Sequence, residues 1–89
     1  MIELTTSRLH LIELNQVQLA LCLTSVPELG IQLNINIASD FLTERVHRAI
    51  RMKVRKMREA EPSHHAWLTY WLIIIKEDNI GAGMLGFKG

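Results

Sequence analysis

Hydrophobic and polar residues alternate over residues 8–14, near the N-terminus of the chain. In an extended segment, Leu9 and Leu11 would share one face. His10 and Ile12 would share the other face. A period of two is typical of a half-buried β-strand, so the pattern predicts a first strand here.

A short, strongly apolar run follows at residues 17–23 and predicts a helix. Asn15 is a candidate N-cap, because its amide oxygen can accept an unpaired N–H group of the first turn. Pro27 and Gly30 are expected to end this helix. Residues 31–39 alternate as a strand would, but Asn and Gln hold the polar positions, and we interpret the segment as a loop with apolar anchors.

The clearest predicted helix ends before Pro62. Ser39 or Asp40 is its candidate N-cap. Glu44 falls in its first turn, where a negative charge suits the helix dipole. Apolar residues recur along it every three or four positions, which is the spacing of one helix face. They are Leu42, Val46, Ile50, Val54 and Met57.

Residues 67–77 are rich in β-branched and aromatic residues and predict a second strand. Both of its faces are apolar, so we expect it to be covered on both sides. Asp78 and Asn79 suit a tight hairpin turn, after which residues 80–88 return as a third strand interrupted by glycines. The predicted order is strand, helix, helix, strand, strand, which is an α+β fold with an antiparallel sheet.

Length and composition limit the classes of protein that this chain can represent. Its 89 residues permit one small domain, and a hydrophobic content of 48% with 21% charged residues is globular rather than disordered. The longest uncharged apolar stretch is far shorter than the ~20 residues of a membrane span, and no cationic leader begins the chain. We therefore expect no membrane partner and a cytoplasmic location. The single cysteine, Cys22, is expected to be an inert buried thiol rather than a nucleophile.

Three segments carry recognisable motifs. Residues 6–11 read Thr-Ser-Arg-Leu-His-Leu and match the pattern Thr-x-Arg-Leu-x-Leu. Residues 67–76 form the long apolar strand, and residues 82–89 follow the pattern apolar-Gly-x-apolar-Gly-Phe. In this order and spacing the chain resembles the first half of the GNAT superfamily of N-acetyltransferases. Within that superfamily, the chain is most similar to the branch that resembles ribosomal-protein N-terminal acetyltransferases.

The resemblance implies that residues 1–89 form a single, partial GNAT domain, the acceptor-side half of an enzyme that acetylates a primary amine. In that family the fourth strand and the following helix hold acetyl-CoA, and the helix begins with Arg/Gln-x-x-Gly-x-Gly/Ala. This motif does not occur in the sequence. Gly81, Gly83 and Gly86 have a similar spacing, but they fall in a predicted strand with no helix after it. We therefore expect a truncated, inactive acetyltransferase that binds no cofactor, and we assign no catalytic residue.

The first helices and loops of that family wall the pocket of the acceptor amine. The loop histidines can relay protons near neutral pH, and the aromatic residues beside them can line a pocket. The ordinary alternative for the histidines is a solvated loop, and for the aromatic residues it is packing in the core. Regular zinc-ligand spacing is absent, so no metal site is predicted. The candidate substrate-binding residues are His64, His65, Trp67, Tyr70 and Trp71.

The long predicted helix is strongly basic. Residues 41–61 carry seven bases against three acids, a net of +4, whereas the whole chain has a net charge of +1. These bases could form a small nucleic-acid-binding module. We favour a solvated face with i,i+4 ion pairs at Glu44–Arg48 and Arg55–Glu59, because no aromatic stacking platform lies among the bases. The bases are Arg45, Arg48, Arg51, Lys53, Arg55, Lys56 and Arg58.

A sheet that ends with the third predicted strand would leave an open edge and one apolar face uncovered. Unpaired backbone groups at a sheet edge can pair with another chain, and a large apolar patch favours association. We therefore expect a homodimer through the edge or the face, and an interaction module is a further alternative function.

Overall fold

The computed structural model describes residues 3–38 and 40–86, except for the side chain of Ala66. The chain has the predicted α+β class. Its elements are, in chain order, β1 (Glu3–Thr5), β2 (Leu9–Glu13), α1 (Gln16–Thr24), α2 (Val26–Leu33), β3 (Asn36–Ile37), α3 (Glu44–Glu59), a 3₁₀ turn (Pro62–His64), α4 (His65–Leu68), β4 (Tyr70–Ile75) and β5 (Ile80–Gly86).

The sheet has the strand order β1-β2-β4-β5-β3. The pairs β1–β2, β2–β4 and β4–β5 are antiparallel, as expected. The short strand β3 instead runs parallel to the start of β5, with Asn36 opposite Ile80. The sheet is therefore mixed rather than antiparallel throughout. The strand and helix order is also longer than predicted, since β1, α2, β3 and α4 are additional elements.

The hydrophobic core lies on one face of the sheet. Alternate strand residues point toward the helices, among them Ile12 in β2 and Leu72 and Ile74 in β4, and Leu14 continues the row beyond β2. Burial of these side chains supplies the main driving force for folding. The helices contribute five buried residues to the same core, which are Leu19, Cys22, Leu29, Ile50 and Met57.

The predicted N-cap of α1 is confirmed. The side chain of Asn15 accepts the N–H group of Gln18 at 2.8 Å, and the Gln18 side-chain oxygen accepts the N–H group of Asn15 at 3.0 Å. This reciprocal pair is a capping box. The predicted end of the helix is wrong, because Ser25 closes α1 and also caps α2. Pro27 lies in the first turn of α2. Backbone N–H groups in a first turn make no bond within the helix, so the lack of one in proline costs the helix nothing there.

Gly30 lies inside α2 rather than ending a helix. The chain reverses after α2 through Asn34, which has a left-handed φ of 56°, and the N–H group of Ile35 donates to the Gly30 carbonyl at 3.0 Å. A Cβ atom at residue 30 would lie 2.9 Å from the Ile35 carbonyl oxygen, so this close approach requires glycine. The predicted loop over residues 31–39 is thus replaced by the end of α2, this turn and β3.

The long helix α3 has the predicted apolar stripe, with Ile50 and Met57 fully buried. Its N-cap is Thr43, whose hydroxyl oxygen accepts the Val46 N–H group at 3.3 Å, and not Asp40. Residues 40 and 41 form a turn, so the helix begins later than the sequence suggested. Ser39, the other candidate cap, lies outside the described residues.

The strand β4 begins at Tyr70, three residues after its predicted start. Trp67 belongs to α4, which ends where the Thr69 N–H group donates to the His65 carbonyl at 2.9 Å. The fully buried Thr69 hydroxyl donates to the Leu14 carbonyl at 2.7 Å. This contact fixes the point at which the chain enters the sheet, so tertiary context outweighs the β-propensity of residues 67 and 68.

The predicted hairpin between β4 and β5 is confirmed, with Asn79 at a left-handed φ of 52°. The register shifts between Ile73 and Ile74, so Ala82 has no partner on β4 and forms a bulge. Residues 87–89, at the end of the predicted strand, lie outside the described residues.

Replacement of Thr69 by Val tests the hydrogen bond to Leu14. The substitution keeps the side-chain shape but leaves a buried carbonyl without its donor, so we expect a loss of about 1–3 kcal/mol in the free energy of unfolding. Urea denaturation measures the loss. The matched control is Thr24→Val, because Thr24 is exposed on α1. Equal stability of the two variants would show that the contact has no energetic role.

Candidate functional site

The two candidate histidines have different environments. His64 is exposed at the end of the 3₁₀ turn. His65 is partly buried, and its Nε2 lies 2.8 Å from the Met57 carbonyl oxygen. A carbonyl only accepts, so His65 carries a proton on Nε2 and donates it. His65 therefore fastens α4 to the C-terminal end of α3.

The three candidate aromatic residues do not face one common space. Tyr70 and Trp71 are adjacent in β4 and point to opposite faces of the sheet. Tyr70 lies on the helix side, where the Lys53 Nζ atom is 4.7 Å from the ring centroid. Trp71 lies on the opposite side and is 6% exposed, whereas Trp67 on α4 is 63% exposed. A substrate-binding role for these residues stays a prediction.

Lys53 differs from the other bases of α3 because its stem packs against the core side of the sheet. Partial burial lowers the pKa of Lys53, and the nearby charge of Lys56 lowers it further. The contact with Tyr70 is a cation–π interaction, which is attractive for the charged form. Lys53 is therefore part of the packing between α3 and β4.

The spaced glycines of β5 do not fit the pyrophosphate of acetyl-CoA. A phosphate-binding glycine loop opens a helix, and its free N–H groups point at the ligand. Gly81 and Gly86 instead lie within β5, which is paired with β4. A Cβ atom would lie 3.3 Å from Leu72 Cδ1 at residue 81 and 2.6 Å from Tyr70 Cε1 at residue 86. Close packing against β4 accounts for these glycines.

A polar cleft of about 590 Å³ lies between the sheet and the helices α1 and α2. Glu3 in β1 and His10 in β2 line it, with His10 Nε2 3.1 Å from Glu3 Oε2. Gln18 is 7% exposed and also lines the cleft. Its side-chain oxygen is engaged in the capping box, whereas its amide nitrogen has no acceptor among residues 3–38 and 40–86.

This cleft, defined by Glu3, His10 and Gln18, can hold a small polar ligand. The Glu3 carboxylate attracts a cationic group, and the Gln18 amide nitrogen can donate to a carbonyl oxygen. Lys76 stands at its rim, where its Nζ donates to the Thr6 carbonyl at 2.6 Å. Sequence reasoning missed this site because strand pairing brings its residues together. The one available signal was the spacing of Asn15 and Gln18, which marks a capping box.

A larger, open cleft of about 780 Å³ lies between α2 and β3. It is lined by apolar and asparagine side chains, including Ile31, Ile37 and Asn79. The described residues that line it include no titratable side chain.

Cys22 is the buried, unreactive thiol that the sequence predicted. Its Sγ donates to the Gln18 carbonyl at 3.8 Å. Burial raises the pKa of the thiol to about 11, against a smaller lowering by a hydrogen bond with the backbone of Cys22 itself. Because the thiolate is the nucleophile, Cys22 is inert near neutral pH.

Within the described part of the chain, no cluster of three or more His, Cys, Asp or Glu side chains is arranged to hold a metal ion. Its helices are also too short or too polar for any of them to cross a bilayer.

Comparison of the chain with protein-family models, with curated proteins and with solved structures finds no match in any of the three. Function is therefore inferred from the motifs, the fold and the clefts.

The reactivity of Cys22 provides a test of the core. Its pKa is higher in the folded chain than the 9.0 of a free thiol, so burial contributes stability below pH 9 that is lost as pH rises toward about 11. We expect the stability difference between the native chain and Cys22→Ala to shrink over this range.

Thiol-reagent labelling at pH 8 should be slow in buffer and fast in urea; equal rates would contradict a buried thiol.

Proposed function

We propose that this chain supplies the acceptor side of an acetyl-CoA-dependent N-acetyltransferase that acts on a primary amine. One observation carries the proposal. The strands β2, β4 and β5 are adjacent and antiparallel, and α1, α2 and α3 are inserted between β2 and β4 on one face of the sheet. The resemblance in the sequence implies this arrangement for the first three strands of the family. A fold-level likeness supports a class of reaction and does not specify the amine.

The motif Thr-x-Arg-Leu-x-Leu has a structural role that supports the proposal. The hydroxyl oxygen of Thr6 accepts the N–H group of Leu9 at 2.9 Å, which closes the turn before β2. The carbonyl of Arg8 then accepts the N–H group of Lys76, the residue after β4, at 3.0 Å. The first motif thus holds the start of β2 beside the end of the apolar segment 67–76.

The helices α1 and α2 also wall the cleft of Glu3, His10 and Gln18. In the family, the first helices and their loops border the acceptor amine. An ammonium group carries the charge that the Glu3 carboxylate attracts. The family motif Arg/Gln-x-x-Gly-x-Gly/Ala does not occur in residues 1–89, so the proposal assigns acetyl-CoA binding to sequence outside them.

Titration with acetyl-CoA tests whether residues 1–89 hold the acceptor side without the cofactor site. A ligand at a hundred times its dissociation constant stabilises a protein by about 2.7 kcal/mol, which is roughly 10 °C or more in the melting temperature of a domain of this size. We expect acetyl-CoA to shift the melting temperature of the 89-residue chain by less than ~1 °C, the same as acetate. A saturable shift of several degrees would place a cofactor site within these residues.

The coding sequence beyond Gly89 tests the family itself. We expect Arg/Gln-x-x-Gly-x-Gly/Ala, at the start of a helix, within about forty residues, since one strand precedes that motif in the family. A stop codon after Gly89, or further sequence without the motif, would contradict the proposal.

A second proposal is that the chain forms a homodimer through the sheet face opposite the helices. This outer sheet face is formed by alternate residues of β1, β2, β4 and β5. No helix of the described chain contributes to it. Leu4 is 53% exposed and Leu85 is 47% exposed, and the other side chains of the face are partly exposed except for Trp71, which is 6% exposed. An apolar face of this kind favours association. The face consists of Leu4, Leu9, Leu11, Trp71, Ile73, Ile75 and Leu85.

The outer sheet face suits a dimer better than the sheet edge does. Asn36 and Ile37 pair with the start of β5 and cover that part of the edge. The bulge at Ala82 makes the rest of β5 irregular, and irregular edges pair poorly with another chain.

Light scattering coupled to size exclusion tests the dimer. We expect about twice the monomer mass of 10.2 kDa at micromolar concentration, because pairing covers both outer sheet faces. Leu85→Lys should shift the mass toward the monomer, since the lysine would be buried in the interface. The matched control is Ile31→Lys, whose position on α2 is 79% exposed and away from the outer sheet face. A monomeric native chain, or equal dissociation by both variants, would refute this proposal.

A further inference from the structure

The helix α3 presents a continuous basic surface. Its apolar stripe is turned into the core, where Ile50 and Met57 are buried, so the opposite side of the helix is fixed toward solvent. Six of its seven bases are exposed, and Lys53 is the one that packs against Tyr70. These six residues, called here the α3 basic face, are Arg45, Arg48, Arg51, Arg55, Lys56 and Arg58.

The α3 basic face is not neutralised by the ion pairs that the sequence suggested. Glu44 and Arg48 do not pair, and neither do Arg55 and Glu59. Within the described chain, the single ion pair with an N–O distance of 4.0 Å or less is His10–Glu3, far from α3 in the sheet. The expectation of a solvated face depended partly on those pairs.

The charge is also concentrated in this one element. Residues 41–61 have a net charge of +4, and the whole chain has +1, so the remaining residues are net negative. Such an asymmetric distribution orients a protein toward a polyanion during approach. A polyanion would therefore attract α3 and repel the rest of the chain.

The dimensions of the α3 basic face match a run of phosphates. Arg45 and Arg58 are separated by about 20 Å along the helix axis, at 1.5 Å per residue. Each strand of duplex DNA carries one phosphate per ~3.4 Å of the duplex axis, so a helix of this length spans about six phosphates of one strand. Flexible arginine side chains can contact several of them at once, and bidentate geometry strengthens each contact.

We propose that the α3 basic face binds the phosphate backbone of nucleic acid without base preference. An anionic membrane fits less well, because an amphipathic helix binds a membrane by inserting its apolar face, and that face of α3 is buried in the core. Stacking on unpaired bases is not part of the proposal, since α3 carries no Phe, Tyr or Trp. This function is independent of the acetyltransferase proposal.

Fluorescence anisotropy with labelled nucleic acid tests the proposal. We expect binding to mixed-sequence duplex DNA and to RNA at low salt, with affinities for different sequences within about threefold because backbone contacts carry no sequence information. The affinity should fall steeply with salt. Four to six phosphate contacts give a slope of about −4 to −5 for log K against log salt.

Charge reversals locate the contact. Arg48→Glu, Arg51→Glu and Arg55→Glu should each make the salt slope shallower by about one, and the triple variant should lose at least tenfold in affinity. Arg8→Glu changes the net charge by the same amount as each single variant but lies outside α3, so it should leave the slope unchanged. Circular dichroism and thermal melts of each variant check that the fold is intact, which we expect because the substituted positions are exposed.

Three results would overturn the proposal. One is binding that the folded triple variant retains, and another is an effect of Arg8→Glu equal to those on α3. The third is binding to vesicles that contain phosphatidylserine with none to nucleic acid, which would indicate a lipid surface instead.

Discussion

The pairing of β2 with β4 is the constraint on which the rest of the structure depends. It joins distant parts of the chain, and the Thr69 hydroxyl, which donates to the Leu14 carbonyl 55 positions earlier, closes the pair at one end. Every helix of the described chain lies in the segment between these two strands. Closing so long a loop costs entropy, which the shared core of helices and strands must offset.

The helices in that segment pack on the same face of the sheet, where their apolar side chains share one core with β2 and β4. Leu72 and Ile74 therefore lie in the core, while Ile73 and Ile75, their neighbours in β4, lie on the outer sheet face. The long apolar strand suggested cover on both faces, and the described chain provides it on one. The same arrangement that stabilises the core thus creates the surface on which the dimer proposal depends.

The placement of α3 links packing to charge in a similar way. Ile50 and Met57 hold the helix against the sheet, and this contact sets which of its residues meet solvent. The apolar stripe cannot leave the core without loss of stability, so the side of the helix that carries the arginines always faces solvent. Because the backbone of α3 is already ordered, binding would restrict only the arginine side chains, whereas a disordered basic tail would also lose backbone freedom.

The polar cleft shows how a short fold can assemble functional groups from separate elements. Glu3 lies in the edge strand, His10 in its neighbour and Gln18 in the first helix. None of them is notable in the sequence, and the capping box of α1 holds Gln18 in place as it stabilises the helix start. The Gln18 side chain therefore both caps α1 and lines the cleft.

Local sequence determined the features that depend on neighbouring residues. The period of two over residues 8–14, the stripe of α3, the Asn15 cap and the turn at Asn79 all follow from local backbone and side-chain preferences, and the structure contains each of them. The α+β class followed from the same patterns. The burial of Cys22 followed from its apolar neighbours.

Tertiary contacts decided the rest. The start of β4 moved from Trp67 to Tyr70 because Thr69 is bound to Leu14, and β3 pairs with β5 because the turn after α2 brings Asn36 beside Ile80. The five candidate substrate residues were close in sequence, yet the alternation of β4 sends Tyr70 and Trp71 to opposite faces. Contacts between residues distant in sequence have no local signature, so the cleft and the outer sheet face emerged from the folded chain alone.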